Sequence, residues 1–237
     1  MINSIRILGA VCFSLAMSFA FASDPFPKEG TDYLTLKNPQ PASFSSKVEV
    51  IEFFGYFCKH CFSFEPALDE WAKKQQRNAD FRRVHVRFGE RMILQQQLFF
   101  ALSAMDPGST ALHHKAFEHT HVLRQPLRTE SQMSAFIRQN GQSSEKFMEL
   151  LRSPQVRALS DEAAQLQARF QIDGVPAIVI DGRFITSLAI VSQGDPSLRT
   201  AKEVQTKTIL IMDRLVERIL RERAGPQRPR TSKSRNN

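Results

Sequence analysis

The sequence predicts an α/β fold in which two groups of strands flank a long helical block. Apolar runs typical of buried strands occur near residue 50 and again at 175–180. From Ile93 to Phe170 the apolar residues instead recur at helical spacing, and no strand is needed. A Cys-x-x-C motif, Cys58-Lys59-His60-Cys61, follows the first of these strands and lies at the start of a helix.

The position of this motif indicates reactive cysteines. The run Val50–Phe54 predicts a buried strand, Gly55 ends it, and helical spacing continues after Cys61. Cys58 is therefore expected at a helix N-terminus, where unpaired backbone N–H groups and the helix dipole favour an anion. Because the thiolate is the attacking form of cysteine, this placement favours chemistry over packing.

The N-terminus predicts export. Arg6 precedes an apolar run that ends in Ala20-Phe21-Ala22, so residues 1–22 are interpreted as a cleaved signal peptide. A membrane anchor is the alternative, but the run is short for a membrane span. Cys12 leaves with the signal, and the remaining two cysteines close a loop too small to add much stability. We therefore expect the pair to react rather than to brace the fold.

The basic residues are concentrated at the C-terminus. Of a formal net charge of +8, much lies from Arg221 onward, and residues 224–237 are expected to form a disordered basic tail. A solvated terminus is the simplest interpretation, and peripheral contact with an anionic membrane surface is the alternative. Nucleic acid is not an expected partner, because an exported chain without a binding motif offers no recognition element.

The elements around the motif follow from periodicity and turn signals. A short strand is expected at 33–36, and the motif helix runs to about Arg77 with a kink at Pro66. Residues 81–88 predict a half-buried strand with alternating faces. One face carries Val84, Val86 and Phe88, and the other carries Arg83, His85 and Arg87.

The helical block and the last elements are bounded by caps and turns. Helices are expected from Ile93 and at 110–123, 129–140, 143–151 and 154–170. Thr129, Ser143 and Ser153 are the expected N-caps. Asp181-Gly182 predicts a two-residue hairpin between strands 175–180 and 183–185, and a final helix spans about Leu198 to Arg223.

In this order the elements resemble the DsbA family of periplasmic disulfide oxidoreductases. The resemblance covers about Asp32 to Leu220 and depends on three segments, which are Glu52-Phe53-Phe54, Phe57-Cys58 through Cys61, and Gly174-Val175-Pro176-Ala177. It implies a thioredoxin fold formed by residues 23–90 and 171–223. Residues 91–170 are then an all-helical domain inserted between the βαβ and ββα halves.

The resemblance also implies roles for the motif residues. Cys58 is the expected nucleophile and Cys61 its partner, while His60 donates a hydrogen bond to the Cys58 thiolate. Lys59 stands where the family commonly has proline. Its positive charge favours thiolate, although losing the proline also changes the stiffness of the loop.

Three residues outside the motif receive roles from the same resemblance. Glu52 is the acid beneath the dithiol and handles protons for Cys61. Pro176 is expected to be a cis-proline facing the dithiol, and Val175 presents backbone groups to an extended substrate.

Structural alternatives accompany these roles. In the alternative interpretation, Glu52 is a partly solvated strand residue paired with a base such as Arg83. Pro176 is then an ordinary trans proline, and His60 is an exposed loop histidine. The two cysteines otherwise form a static disulfide, or bind zinc with a histidine, although a second C-x-x-C is missing. Haem attachment would need histidine where Phe62 stands.

Four of the six histidines lie between His113 and His121. Surface histidines on a solvated helix are the expectation. On a helix, His114, Glu118 and His121 share a face, so a metal site is the alternative, followed by a pH-sensitive surface. We expect no metal in the protein.

We therefore expect an exported, periplasmic oxidase that donates its Cys58–Cys61 disulfide to reduced, unfolded exported proteins. We expect no cofactor beyond that disulfide, and we expect the protein to be a monomer. The resemblance implies reoxidation by a quinone-linked membrane oxidase of the DsbB type. A reductase or isomerase is one alternative, although no dimerisation domain is visible, and a chaperone-like binding module with an incidental dithiol is the other.

Overall fold

A five-stranded mixed sheet lies at the centre of the fold. The computed structural model describes residues 26–40 and 45–225, so the expected signal peptide and residues 226–237 of the basic tail lie outside the described residues. The strands are β1 (Leu34–Thr35), β2 (Val48–Phe54), β3 (Ala79–His85), β4 (Ala177–Ile180) and β5 (Phe184–Thr186). Their order is β1-β5-β4-β2-β3, and only the β2–β3 pair is parallel.

Helices connect and cover the strands. They are α1 (Lys59–Gln75), α2 (Ile93–Met105), α3 (Ala111–His121), α4 (Glu130–Gln139), α5 (Ser144–Leu151), α6 (Pro154–Arg169), α7 (Leu188–Gly194) and α8 (Ala201–Ala224). A parallel strand pair needs a crossover, and α1 supplies it between β2 and β3. We call α2–α6, which all lie between β3 and β4, the helical block. No helix within the described ranges is both long and apolar enough to cross a membrane.

Strand β2 leads directly into the motif and is buried along nearly its whole length. All of its side chains except that of Glu49 are buried. Helix α1 packs against α8 through Phe64, Leu68 and Trp71, and the Trp71 indole donates a 2.7 Å hydrogen bond to Asp213. The start of α1 is thereby fixed at the end of β2.

The helical block packs directly on the dithiol. One apolar cluster contains Phe54, Tyr56 and both cysteines together with buried side chains of the block, among them Leu98, Phe117, Phe136 and Phe147. The cysteines therefore lie at the junction of the sheet and the block.

Most predicted boundaries are confirmed to within a few residues. Thr129, Ser143 and Ser153 are N-caps whose side chains accept backbone N–H groups in the first turn of their helices. Asp181 and Gly182 have φ of +56° and +61°, as expected for the predicted turn, but Ile180 pairs with Phe184, so the hairpin loop has three residues (181–183) and not two. The motif helix ends at Gln75, and Pro66 lies inside it without ending it.

Two predictions about the strands and helices are wrong. The polar side of β3 was expected in solvent. His85 is instead fully buried and the Arg83 side chain is only 9% exposed, because α1 and helices of the block cover that face. Phe88, expected to be buried, lies beyond the strand and is 44% exposed. Helix α7 was not predicted, because seven residues capped by Ser187 are too short to show a period.

The capping box of α8 predicts a stability effect. Thr200 accepts the Glu203 N–H, and the Glu203 carboxylate accepts the Thr200 N–H. We expect Thr200→Ala to lower the free energy of unfolding by about 0.5–2 kcal/mol in urea unfolding, because an N–H group at the helix start loses its acceptor. The control is Thr206→Ala, an exposed site inside the same helix. Equal losses in both variants would contradict the assignment of the cap.

Candidate active site

The first cysteine of the motif is the N-cap of α1. Cys58 is 8% exposed, whereas Cys61 is fully buried, and both are free thiols in this structure. The Cys61 backbone N–H donates to Cys58 Sγ at 3.1 Å. The cysteine nearer the surface thus lies where the unpaired N–H groups of the helix converge.

The two thiols have opposite acidities. Hydrogen bonding from the Cys61 thiol lowers the pKa of Cys58, burial opposes this effect, and the backbone N–H groups of Cys61 and His60 add to it. Burial raises the pKa of Cys61, and the thiol's hydrogen bond to Cys58 and the nearby Glu52 raise it further. Cys58 is therefore the thiolate of the pair and Cys61 its proton-bearing partner.

A cis peptide bond joins Val175 to Pro176, as predicted. The Cys58 thiol lies 3.5 Å from the Val175 carbonyl oxygen, so this loop faces the dithiol. A groove of about 920 Å³ begins here and is lined by His60, Val175 and Pro176 among other residues. The structure thus brings the predicted substrate-binding residues to the mouth of a groove beside Cys58.

The side chains of Lys59 and His60 are exposed. Within the described part of the chain, neither side chain makes a hydrogen bond or an ion pair, and His60 acts on Cys58 through its backbone N–H. The roles predicted for these two side chains therefore stay predictions.

Glu52 lies in β2, is fully buried and accepts a 3.1 Å hydrogen bond from Arg83 Nε. Burial raises its pKa to about 8, and the Glu65 carboxylate adds to the rise while Arg83 opposes it. The alternative of a partly solvated Glu52 is wrong, but its pairing with Arg83 is correct. At neutral pH this carboxyl holds a proton. When it ionises, its negative charge opposes ionisation of Cys61.

Sequence reasoning found only the pairing of Glu52 with Arg83 in a largely buried charge cluster. We call it the Arg83 cluster, and it comprises Glu52, Glu65, Asp69, Arg83, His113 and His114. The Arg83 guanidinium is 3.1 Å from Glu52, 2.5 Å from Glu65 and 2.7 Å from Asp69. Burial opposes ionisation of Glu65, but the hydrogen bond from His113, the nearby His114 and the charge of Arg83 lower its pKa to about 2. Two signals were available in the sequence, namely carboxylates four residues apart on α1 and Arg83 opposite Glu52 in the strand register.

Two histidines of α3 complete this cluster. His113 Nε2 lies 3.0 Å from Glu65 Oε1, and His114 Nε2 lies 2.7 Å from Asp69 Oδ2. The ligand atoms of Glu65, Asp69 and His114 lie within 4.8 Å of one another, which is a metal-like spacing. The Arg83 guanidinium already contacts both carboxylates, so a cation is supplied by the protein itself.

The expectation of solvated surface histidines on α3 is wrong. His113 and His119 are buried, and His119 Nδ1 lies 2.6 Å from the Gln125 carbonyl oxygen. His121 donates to the Tyr56 carbonyl oxygen at 2.9 Å and stacks on Phe62. The helix packs on the thioredoxin half, so its histidines find partners there.

Tyr56, two residues before Cys58, is held by three histidines that sequence reasoning did not connect. Its N–H donates to His85 Nε2 at 3.0 Å, its carbonyl oxygen accepts from His121, and its hydroxyl lies 3.0 Å from His113 Nδ1. Burial lowers the pKa of His85 to about 3, so its ring is neutral and donates through Nδ1 to the Val86 carbonyl oxygen. These contacts fix the chain where it enters the motif.

The chain is similar to proteins of one family. Residues 80–196 match the model of the DSBA-like thioredoxin domain. The thiol:disulfide interchange protein DsbA of Burkholderia cepacia is 38% identical over 187 residues, which covers 78% of this chain and 88% of that protein. The Pseudomonas aeruginosa DsbA (strain PAO1) is 30% identical over 199 residues, covering 84% and 87% respectively.

Solved structures agree with this similarity. A crystal structure of P. aeruginosa DsbA superimposes with a TM-score of 0.70 at 29% identity, covering 82% of this chain and 94% of that one. The oxidoreductase NmDsbA1 of N. meningitidis gives a TM-score of 0.66 at 26% identity and covers 83% and 99%. The predicted fold class, a thioredoxin fold with helical insertion, is confirmed.

The hydrogen bond between the two thiols predicts how Cys58 titrates. In Cys61→Ala the Cys58 thiolate loses its largest stabilising contact, so we expect the midpoint of its iodoacetamide reaction to move to higher pH than in the reduced wild type. Cys61→Ser retains a hydroxyl donor and is expected to lie between the two. An unchanged midpoint in Cys61→Ala would show that the backbone N–H groups alone stabilise the thiolate.

The buried Glu52 predicts a pH-dependent stability difference. Its pKa is about 8 in the folded chain against an ordinary value of 4.5, so between these pH values the folded state binds the proton more tightly. The free energy of unfolding of the reduced wild type, relative to that of Glu52→Gln, is therefore expected to be highest below pH 4.5 and to fall as the pH rises from 4.5 through 8. Urea unfolding at several pH values measures it.

A matched control for this titration is Glu149→Gln, which removes the same charge from an exposed position on α5. A difference between wild type and Glu52→Gln that stays constant from pH 4.5 to 8 would contradict a protonated Glu52.

Proposed function

The chain belongs to the DsbA family of thiol:disulfide oxidoreductases, and from this premise we propose that it oxidises reduced exported proteins with its Cys58–Cys61 disulfide. The observation that supports this direction is the opposite acidity of the two thiols. A stabilised Cys58 thiolate favours the reduced enzyme, and an enzyme that favours its reduced form is a strong oxidant of other thiols.

The reaction takes place in two exchanges. A substrate thiolate attacks Cys58 Sγ, the Cys58–Cys61 bond breaks, and Cys61 leaves with the electron pair of that bond. A second substrate thiolate then attacks the substrate sulfur of the mixed disulfide and releases Cys58 as a thiolate. The substrate loses two electrons and forms its disulfide, and the enzyme gains them as a dithiol.

Glu52 handles the proton of the first exchange. Cys61 is buried and its pKa is raised, so it leaves as a thiol rather than as a lasting thiolate. The Glu52 carboxyl is protonated at neutral pH. It lies close enough to Cys61 for the two groups to influence each other's ionisation. It donates a proton as Cys61 departs and recovers one when the enzyme is reoxidised.

The loop that contains Val175 and Pro176 orients the substrate. Val175 presents its backbone beside Cys58, and Pro176 shapes the loop that an extended chain meets. The groove of about 920 Å³ starts at this loop and suits an apolar segment of a reduced protein or of a membrane oxidase of the DsbB type, which draws the electrons away to a quinone. His60 and Lys59 border the path; Lys59 adds positive charge beside the thiolate, and His60 offers it a hydrogen-bond donor.

The same proposal covers location and organisation. Residues 1–22 direct the chain to the periplasm and are removed, and the monomer needs no cofactor beyond its disulfide. Residues 23–90 and 171–223 form the thioredoxin domain, and residues 91–170 form the inserted domain. The basic residues of 224–237 allow peripheral contact with an anionic membrane, where a membrane oxidase resides.

The redox equilibrium with glutathione tests the direction of the reaction. We expect a reduction potential more positive than about −180 mV, the value of protein disulfide isomerase. A potential near about −270 mV, as in thioredoxin, would instead make the protein a reductase.

Substituting both cysteines by alanine is expected to abolish oxidation of a reduced substrate protein. A chaperone-like module would instead keep its binding of unfolded proteins in this variant.

The role of Lys59 is tested in the same equilibrium. Lys59→Gln removes the charge, and because the residue is exposed we expect the potential to become more negative by no more than about 20 mV. Lys59→Pro restores the family's usual residue and separates stiffness from charge when compared with Lys59→Gln. Lys73→Gln, which removes a charge at the other end of α1, is the control and is expected to leave the potential unchanged.

A further inference from the structure

We propose that His114, a residue of the helical block, is a positioning residue for the dithiol reaction: its ion pair with Asp69 balances the charge of the Arg83 cluster and thereby sets how readily Glu52 ionises beneath Cys61. The idea rests on the proposed function, because it assigns a regulator to the proton that Glu52 handles.

The charges of the cluster require a second cation. Arg83 is one guanidinium shared by three carboxyl groups, those of Glu52, Glu65 and Asp69. With Glu52 protonated, two carboxylates oppose one guanidinium, and one negative charge remains in a largely buried site. Unbalanced buried charge is costly. A protonated His114 brings the cluster to neutrality.

The geometry assigns this cation to His114. Its Nε2 lies 2.7 Å from Asp69 Oδ2 and 3.7 Å from Glu65 Oε1. The charged and titratable groups that face His114 are Glu65 and Asp69 of α1, Arg83 of β3 and His113 of its own helix. Arg83 also connects His114 to Glu52 on β2. The nearby Glu65 carboxylate raises the pKa of His114, burial opposes the rise, and Asp69 adds to it.

The neighbouring His113 has a different role. The Tyr56 hydroxyl contacts its Nδ1, and its Nε2 contacts Glu65, so a neutral ring with its proton on Nε2 makes both hydrogen bonds. Burial lowers the pKa of His113, which agrees with a neutral ring. Of the two histidines, only His114 is substantially exposed, with 37% of its side chain in solvent. Burial therefore opposes a charged ring less strongly at His114 than at His113.

The consequence for the reaction follows from the sharing of Arg83. When Glu52 gives its proton to Cys61, it becomes a third carboxylate of the cluster. Arg83 stabilises that carboxylate better when a protonated His114 compensates Asp69 and Glu65. Loss of the His114 charge leaves the cluster negative, so Glu52 holds its proton more tightly and becomes a weaker acid.

The test is the titration of the Glu52 carboxyl by carbon NMR in reduced full-length protein, with the signal assigned by its loss in Glu52→Gln. We expect His114→Gln to lower the ionisation constant of Glu52 about tenfold, the order expected for a unit charge acting across several ångströms at intermediate dielectric. His114→Lys retains the charge and is expected to keep the wild-type constant. Asp69→Asn removes a carboxylate and is expected to shift the constant in the opposite direction.

Lys115→Gln is the matched control, because it removes a positive charge from the adjacent, exposed position of the same helix. An unchanged Glu52 constant in His114→Gln, or an equal change in Lys115→Gln, would overturn the proposal. The titration needs no substrate, so it judges His114 even if oxidation assays of the wild type show that the proposed function is wrong.

Discussion

The burial of one guanidinium among several carboxyl groups is the constraint on which the site depends. Arg83 comes from β3, Glu52 from β2, and Glu65 and Asp69 from α1, so the cluster joins β3 to the two elements that flank the dithiol. Breaking such a set by removing one partner leaves an uncompensated charge in the interior. The register of the parallel β2–β3 pair, which places Glu52 opposite Arg83, is thus fixed by electrostatics as well as by apolar packing.

The opposite acidities of the two cysteines follow from where this cluster lies. Cys58 caps α1 near the surface, where backbone N–H groups stabilise a thiolate. Cys61, one turn further along α1, is fully buried and lies close enough to Glu52 for that carboxyl to oppose its ionisation. One turn of helix therefore separates a site that favours negative charge from a site that rejects it. In a uniform environment the two thiols would have similar acidities, and neither would be the preferred thiolate.

The sequence predicted the elements better than it predicted the burial of polar residues. Caps such as Thr129 and the Asp181-Gly182 turn depend on neighbouring residues alone, so local pattern is sufficient to find them. The burial of Arg83 and His113 depends on α3 docking across the sheet, which periodicity within one segment does not report. Alternation in β3 separates its two faces but does not show that both are covered. The motif was found from local pattern, whereas the roles of Glu52 and Pro176 came from the family resemblance, which added information that local pattern lacks.

The contacts of Tyr56 bear on the absence of proline from the motif. A proline after the first cysteine stiffens the loop from within, and Lys59 does not. Here the chain is restrained immediately upstream, because His85 accepts the Tyr56 N–H, His121 donates to its carbonyl oxygen, and His113 contacts its hydroxyl. Two of these histidines belong to the helical block, so the block restrains the thioredoxin half at the entrance to the motif. Rigidity at the dithiol is therefore a property of the packed molecule and not of the four motif residues alone.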